Sequence, residues 1–447
     1  MSTHAPGIEH AKDTISHEWL SWTRMADFAD HAPPVIVGGE GPYVIDADGR
    51  RLFDGVSGLF TTQIGYSHGA ELGAAAARQL ETLGFYPNWA ATSPSPVELA
   101  GRVTELSPEH LTRVFFTSGG SEAVESALKL IRLHWLGRGE PLRRKVIARR
   151  GAYHGCTLGA LSLTGIPGAR APFEPLLPDV RHAENTDRRN YPTASDDGAW
   201  LDATVAAIER MIVAEGPHTV AAVVLEPVQN AGGCLVPPEG YGPRLRELCD
   251  RHGILLWCDE VITGFGRLGA WLGSDLLGFD ADIVTFAKGI TSGQAPLGGM
   301  LFTDDVAAPL LDGGALYAHG FTFGGHPLAC AVALANLAIM RREGVVENVQ
   351  QLEGHLDGLL AAVVNGSDLV VDARGRGFFR AIELRDASVL PAARDAIRRN
   401  GVIVRLDDRV NPCFAISPPL ISTAEELDGM AAGIAAGLAE AGATATG

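Results

Sequence analysis

The sequence predicts an α/β protein: a large, doubly wound, mostly parallel sheet domain joined to a smaller α+β domain. Three observations carry this. Two short apolar runs, 254–261 and 282–289, each lead to a charge, Asp259 and Lys288, and such runs suit strands buried on both faces of a parallel sheet. Candidate strands alternate with candidate helices from residue 114 to residue 289, the rhythm of βαβ units. After Glu343 the pattern changes to helices and short strands (371–384, 402–405, 414–419) and ends in an Ala-rich helix. The domains read as 1–65 (an N-terminal segment of the small domain), 66–330 (the large domain) and 331–447 (the rest of the small domain).

Taken in order, residues 1–17 read as a loose polar arm. A short helix over about 18–29 carries Trp19, Trp22 and Met25 on one side, and Pro33-Pro34 stops it. Asp48-Gly49 predicts a hairpin turn between two strands. Leu59 and Phe60 follow, and Phe60 reads equally as core or as pocket wall. Residues 70–83 form an Ala-rich helix. Phe85, Tyr86 and Trp89 make an aromatic loop, which suits a substrate entrance or packing beneath the loop. Next comes a strand, the turn Ser118-Gly119-Gly120-Ser121, then a helix burying Val124, Leu128, Ile131 and Trp135. A small-residue turn at a helix N-terminus offers free N–H groups and hydroxyls to a phosphate, or simply an N-cap serine. No Gly-Lys-[Ser/Thr] follows it, so it is not a nucleotide P-loop.

After the strand 145–148, Tyr153 offers a flat ring to a heteroaromatic ligand, or a buried hydroxyl to the core. His154 has no partner at metal-ligand spacing, and no metal is expected. Residues 165–199 read as a long loop. A helix over about 200–214 leads to a buried strand ending at Glu226, and a helix around Leu245 leads to the strand at 254. Gly264–Gly269 matches G-x-G-x-x-G, but no clear helix opens within it, so a dinucleotide reading is set aside. Phe321 and Thr322 sit in a second small-residue loop before a helix over about 327–343. Arg405 ends an apolar strand, where it reads as a carboxylate clamp or as a solvent-facing strand end.

Composition narrows the function. A net charge of −17 over 447 residues argues against nucleic acid or an anionic membrane as the main partner. The six cysteines form no C-x-x-C pair, which fits a reducing compartment. The N-terminus lacks a signal-peptide apolar core and no run is long enough to span a bilayer, so a cytoplasmic protein is expected.

In open α/β sheets ligands sit beyond the carboxyl ends of the strands, so Asp259 and Lys288 should share a cleft. A carboxylate and a lone lysine converging there suit pyridoxal phosphate, the lysine as nucleophile and the carboxylate as partner of the pyridine nitrogen. Taken singly, each residue also reads as a helix cap or a surface lysine.

The motifs Ser118-Gly-Gly-Ser-Glu-Ala, Tyr153-His-Gly, Glu226-Pro, Asp259-Glu-Val, Lys288-Gly and the Thr322 loop occur in the order seen in class III aminotransferases, and the resemblance runs from about Trp19 to the C-terminal helix. It implies the aspartate aminotransferase fold (fold type I of the pyridoxal-phosphate enzymes) and that cofactor. It implies that Lys288 carries the Schiff base, that Asp259 pairs with the ring nitrogen, and that Tyr153 and Val261 flank the ring. Ser118, Gly119, Gly120 and Ser121 would bind the phosphate, joined by Phe321 and Thr322 from a second subunit. His154 and Glu226 would complete the cofactor site. Leu59, Phe60, Phe85, Tyr86, Trp89, Tyr153 and Arg405 would face substrate.

Asn230-Ala231 after Glu226-Pro-Val-Gln resembles the ω-amino acid:pyruvate branch, in which an arginine near the C-terminus binds the carboxylate of pyruvate and swings away for amines. Arg405 stands at that place, with Arg409 as the rival. The resemblance thus implies small amines and 2-oxo acids as substrates and a homodimer or tetramer with shared sites. An aminomutase, a decarboxylase or a non-catalytic cofactor-binding protein of the same fold are the alternatives.

Overall fold

A computed structural model describes residues 18–28 and 33–445. The chain lays down fifteen strands among these residues. β1 (Ile36–Glu40), β2 (Tyr43–Asp46) and β3 (Arg51–Asp54) come first. β4 (Arg113–Thr117), β5 (Lys145–Arg149), β6 (Val180–Ala183), β7 (Val220–Leu225), β8 (Leu255–Asp259), β9 (Ile283–Phe286) and β10 (Gly298–Phe302) form one seven-stranded sheet, ordered β4-β10-β9-β8-β7-β5-β6. From β9 to β6 every neighbouring pair is parallel, while β10 runs antiparallel to β9 and β4.

Every residue of β7, β8 and β9 is buried, as their unbroken apolar runs require for a sheet covered on both faces. The helix Gly120–Gly137 packs on this sheet through Val124, Leu128, Ile131 and Trp135, all buried, and the Trp135 Nε1–H donates to the Ala221 carbonyl at 3.0 Å. Burying each such side chain contributes about 1.5–3 kcal/mol, so the helix N-terminus is held firmly at the sheet's carboxyl edge.

Two smaller sheets complete the fold. β13 (Val402–Ile403) pairs in parallel with β3 in a four-stranded sheet β1-β2-β3-β13, so residues near both ends of the chain share one sheet. At that seam Gly55 donates its N–H to the Ile403 carbonyl at 3.0 Å, and a Cβ there would meet the same oxygen at 2.6 Å. β11 (Val370–Arg376), β12 (Phe379–Leu384), β14 (Arg405–Asp407) and β15 (Cys413–Ile416) form the third sheet, ordered β11-β12-β15-β14. The two seams bring Phe60 and Arg405 together: Phe60 packs edge-on against Phe379, with centroids 5.7 Å apart. Among the described residues no helix is long and apolar enough to cross a membrane.

Two local expectations are corrected. The helix expected over 18–29 is only a 3-10 turn, Met25–Phe28, with no buried residue. Its tryptophans find no core to bury them: Trp19 is 83% exposed, and Trp22 sets its ring against Tyr153 instead, with centroids 5.9 Å apart. The loop expected over 165–199 holds an edge strand, β6, and the start of the helix Asp197–Glu215. Val-Arg-His-Ala is short and half-exposed, as edge strands are, so no apolar run marks it. The arm at 1–17 lies outside the described residues.

Candidate active site

The carboxyl ends of the parallel strands deliver the polar side chains. Asp259 is the last residue of β8, Glu226 follows β7, Tyr153 and His154 lie on the turn after β5, and Lys288 lies two residues beyond β9. The Lys288 backbone sits in the left-handed region, at φ 48°. For a residue with a side chain this costs about 1–3 kcal/mol, and the surrounding packing holds it.

Asp259 is 4% exposed and accepts on both oxygens, with room for one more donor at Oδ2. His154 Nδ1 lies 2.8 Å from its Oδ2, while Oδ1 accepts from Thr285 Oγ1 and from the Val261 N–H, both at 3.2 Å. Glu226, also buried, accepts the N–H groups of Tyr153 at 3.1 Å and Asn230 at 3.0 Å. Loss of water nonetheless raises its pKa, and nearby Asp259 adds to the shift. Loss of water acts oppositely on Lys288, lowering its pKa to about 8 despite the opposing pull of Asp259; Arg405 adds to the lowering. A lysine so poised is a nucleophile and a proton carrier near neutral pH.

These groups line a cavity of ≈ 220 Å³ together with Gly120, Ser121, Val228, Val261 and Ala287. At one end no side chain caps the helix Gly120–Gly137, so its first N–H groups face a ready anion site. Gly120 is needed there: a Cβ would stand 3.0 Å from a methyl of Val261.

A second cavity of ≈ 550 Å³ shares Leu59, Tyr153, Ile262 and Lys288 with the first, and adds Trp22, Phe60, Asn230, Arg405 and Arg409. Phe60 is both core and wall. It is 1% exposed, yet its ring centroid lies 5.9 Å from Lys288 Nζ and 5.5 Å from the Arg405 guanidinium. Among the described residues the Arg405 side chain makes no hydrogen bond or ion pair, and burial first, then Arg409, lowers its pKa. Arg409 differs. It grips both carboxylate oxygens of buried Asp407, at 2.8 and 2.5 Å, and its guanidinium lies 5.6 Å from the Tyr153 centroid.

Other expected residues gather elsewhere in the chain. Trp89 and Phe321 line a separate cavity of ≈ 890 Å³ with Tyr317 and His319, Phe85 packs on Phe323 and His326, and Tyr86 is exposed. Neither Thr322 nor this cluster lines the Lys288 cavities. Ser118 and Gly119 lie just behind the cavity lining, the Ser118 N–H donating to Glu122 at 2.7 Å. Three neighbours of the site escape the sequence reading. Thr285 is the lone hydroxyl in the run Ile-Val-Thr-Phe, which is its one signal; Trp22 has the spacing of a helix face, and Asn230 is marked in the sequence only by its place in the motif.

A family model described as aminotransferase class III matches residues 25–438. The chain belongs to the class III aminotransferases. This aminotransferase is 44% identical over 440 residues to a probable aminotransferase of Mycobacterium tuberculosis, covering 95% of this chain and 93% of the relative. It is 36% identical over 441 residues to the putrescine–pyruvate aminotransferase of Pseudomonas aeruginosa, covering 95% of each. An amine transaminase of an uncultivated Pseudomonas species, solved in its PLP-bound form, superposes with a TM-score of 0.90 at 37% identity, over 95% of this chain and 98% of that one.

The aminotransferase is therefore a pyridoxal-phosphate enzyme of α/β fold, and its cavity fits that group. A primary amine of lowered pKa, a buried carboxylate braced by three donors, an aromatic ring and an uncapped helix N-terminus line one space. The buried Nε2 of His154 also has no partner among the described residues, as a group waiting for a ligand would leave it.

Proposed function

We propose that this aminotransferase moves an amino group from an ω-amino acid or amine to pyruvate or another 2-oxo acid in a ping-pong cycle, the two substrates using one cavity in turn. The observation that carries the acceptor is Arg405. Its guanidinium is half-buried in the cavity that contains Lys288 and has no partner among the described residues, and such a cation invites a carboxylate held by two hydrogen bonds. The putrescine–pyruvate aminotransferase of Pseudomonas aeruginosa, a relative, supports the same acceptor.

Pyridoxal phosphate, when bound, supplies the carbonyl carbon that takes up the amino group and a conjugated ring that holds the electron pair left when the substrate proton departs. Lys288 would hold the cofactor, and its Nζ would take the substrate's proton and return it; burial keeps much of this amine neutral near pH 8. Asp259 would keep a proton on the ring nitrogen, its carboxylate oriented by His154, Thr285 and the Val261 N–H. Tyr153 and Val261 would confine the ring, and Gly120 and Ser121 with the turn from Ser118 would bind the phosphate. Glu226 fixes the Tyr153 turn from below. Trp22 and Leu59 would exclude water from the mouth.

We also propose a homodimer. Phe85, Tyr86, Trp89, Phe321 and Thr322 lie away from the Lys288 cavities, and Tyr86, Trp89 and Phe323 expose large apolar surfaces, which supports a docking face there. Facing a second copy, they would reach its site. A panel of amines and ω-amino acids, each run with pyruvate and with 2-oxoglutarate, tests the whole reading: alanine or glutamate should accumulate in step with loss of donor. Donor turnover without an amino acid formed from the acceptor would overturn it.

A further inference from the structure

Arg405 and Asp407 lie two residues apart on β14, facing Ala415 and Cys413 of β15. Residues two apart on a strand share a face, about 7 Å apart, so Asp407 is the carboxylate within easiest reach of Arg405. Asp408 points to solvent. Yet the two do not pair. Asp407 is 3% exposed and taken on both oxygens by Arg409, whose backbone N–H also donates to Oδ1 at 3.2 Å. Arg405 is left in the cavity wall over Phe60 with no carboxylate paired to it among the described residues.

We infer that Arg409 is a specificity-determining residue: by occupying Asp407 it denies Arg405 an internal partner and keeps that guanidinium committed to substrate carboxylates. Arg409 acts through Asp407 and Arg405, so it is a positioning residue. The cavity is thereby tuned to substrates bearing a carboxylate in both half-reactions, 2-oxo acids as acceptors and ω-amino acids as donors, in preference to amines without one. With Asp407 free, Arg405 would have a ready place to turn when an apolar group entered, and the preference would shift toward plain amines. This inference rests on Arg405 being the carboxylate anchor.

The test is a set of KM and kcat values for the holoenzyme with the best 2-oxo acid acceptor and a carboxylate-free amine. In Arg409→Gln, Asp407 becomes a buried carboxylate with Arg405 as its nearest unpaired cation. The acceptor KM should rise about tenfold or more, the cost of breaking one charged contact before binding, while the amine KM stays level or falls. Arg409→Lys should give a smaller rise, and it stands in if the glutamine variant does not fold. The double variant D407N/R409Q removes the competing charge, so the acceptor KM should return to near the wild-type value.

A double variant as poor as the single would make Arg409 itself the carboxylate ligand and overturn the inference. An unchanged acceptor KM in Arg409→Gln, or equal losses for both substrates, would overturn it as well. A wild-type enzyme that used no 2-oxo acid would instead count against the proposed function.

Discussion

His154 Nδ1 lies 2.8 Å from Asp259 Oδ2, and neither side chain is more than 4% exposed. A histidine donating there fixes the carboxylate's rotamer and leaves Nε2 to the cavity side. Replacing it with Phe keeps the volume and deletes the hydrogen bond. We expect kcat to fall about 10- to 150-fold, a barrier raised by about 1.5–3 kcal/mol, the usual value of a hydrogen bond to a charged group, with cofactor retention less affected. Asp259→Asn should cost more, about 3–5 kcal/mol, because it removes the charge itself. Steady-state kinetics in saturating cofactor check both, and a His154→Phe enzyme with wild-type kcat would contradict the role.

Lys288 supplies a pH prediction. Its pKa is depressed to about 8 by burial, and the neutral amine is the reactive form. Covalent capture of pyridoxal phosphate by the apoprotein should therefore accelerate as pH rises through about 8 and level off above it. A lysine of ordinary pKa would keep accelerating toward pH 10. Stopped-flow absorbance against pH reads the midpoint, and Lys288→Ala should show no covalent capture at any pH.

Gly120 tests the cradle. A Cβ at this position meets Val261 methyls at 3.0 and 3.1 Å and the Ala287 Cβ at 3.7 Å, so Gly120→Ala should push Val261 into the cavity. We expect cofactor affinity to weaken by about 1–3 kcal/mol, the range for overpacking. The melting temperature of the apoprotein should change little. Equilibrium dialysis and thermal scans separate the two effects.

The sheet core was legible in the sequence because its strands are buried on both faces: β7, β8 and β9 read as unbroken apolar runs, and each run led to Glu226, Asp259 or Lys288. What escaped detection has a physical reason in each case. β6 is an edge strand with two polar residues in four. β10, a Gly-Gly-Met-Leu-Phe run that opens on two glycines and leads through Thr303 straight into the helix Asp304–Gly313, is too short and glycine-rich to read as a strand. Trp22 sits in a stretch whose helical spacing was real but had no core to face. The pairing of Arg409 with Asp407 is as local as that of Arg189 with Asp187, but that it leaves Arg405 alone depends on where β14 ends against β15. Why a plain threonine at 285 should brace Asp259 becomes visible only once β8 and β9 lie side by side.

Quaternary structure gives a fourth prediction. If the aromatic face around Tyr86 and Trp89 is covered by a second copy, sedimentation should find a dimer or larger assembly at assay concentration. Trp89→Glu should weaken it and lose activity in parallel. An active wild-type monomer would contradict the shared-site reading.

The most direct measurement takes the two half-reactions apart in Arg405→Ala, following cofactor absorbance first with a carboxylate-free amine alone and then with pyruvate alone. Pyruvate binding should weaken by about 1.5–3 kcal/mol, the loss of a charged hydrogen-bonded contact, while the amine half-reaction should proceed at close to the wild-type rate. Equal loss in both halves would make Arg405 a structural residue and contradict its assignment as the carboxylate anchor.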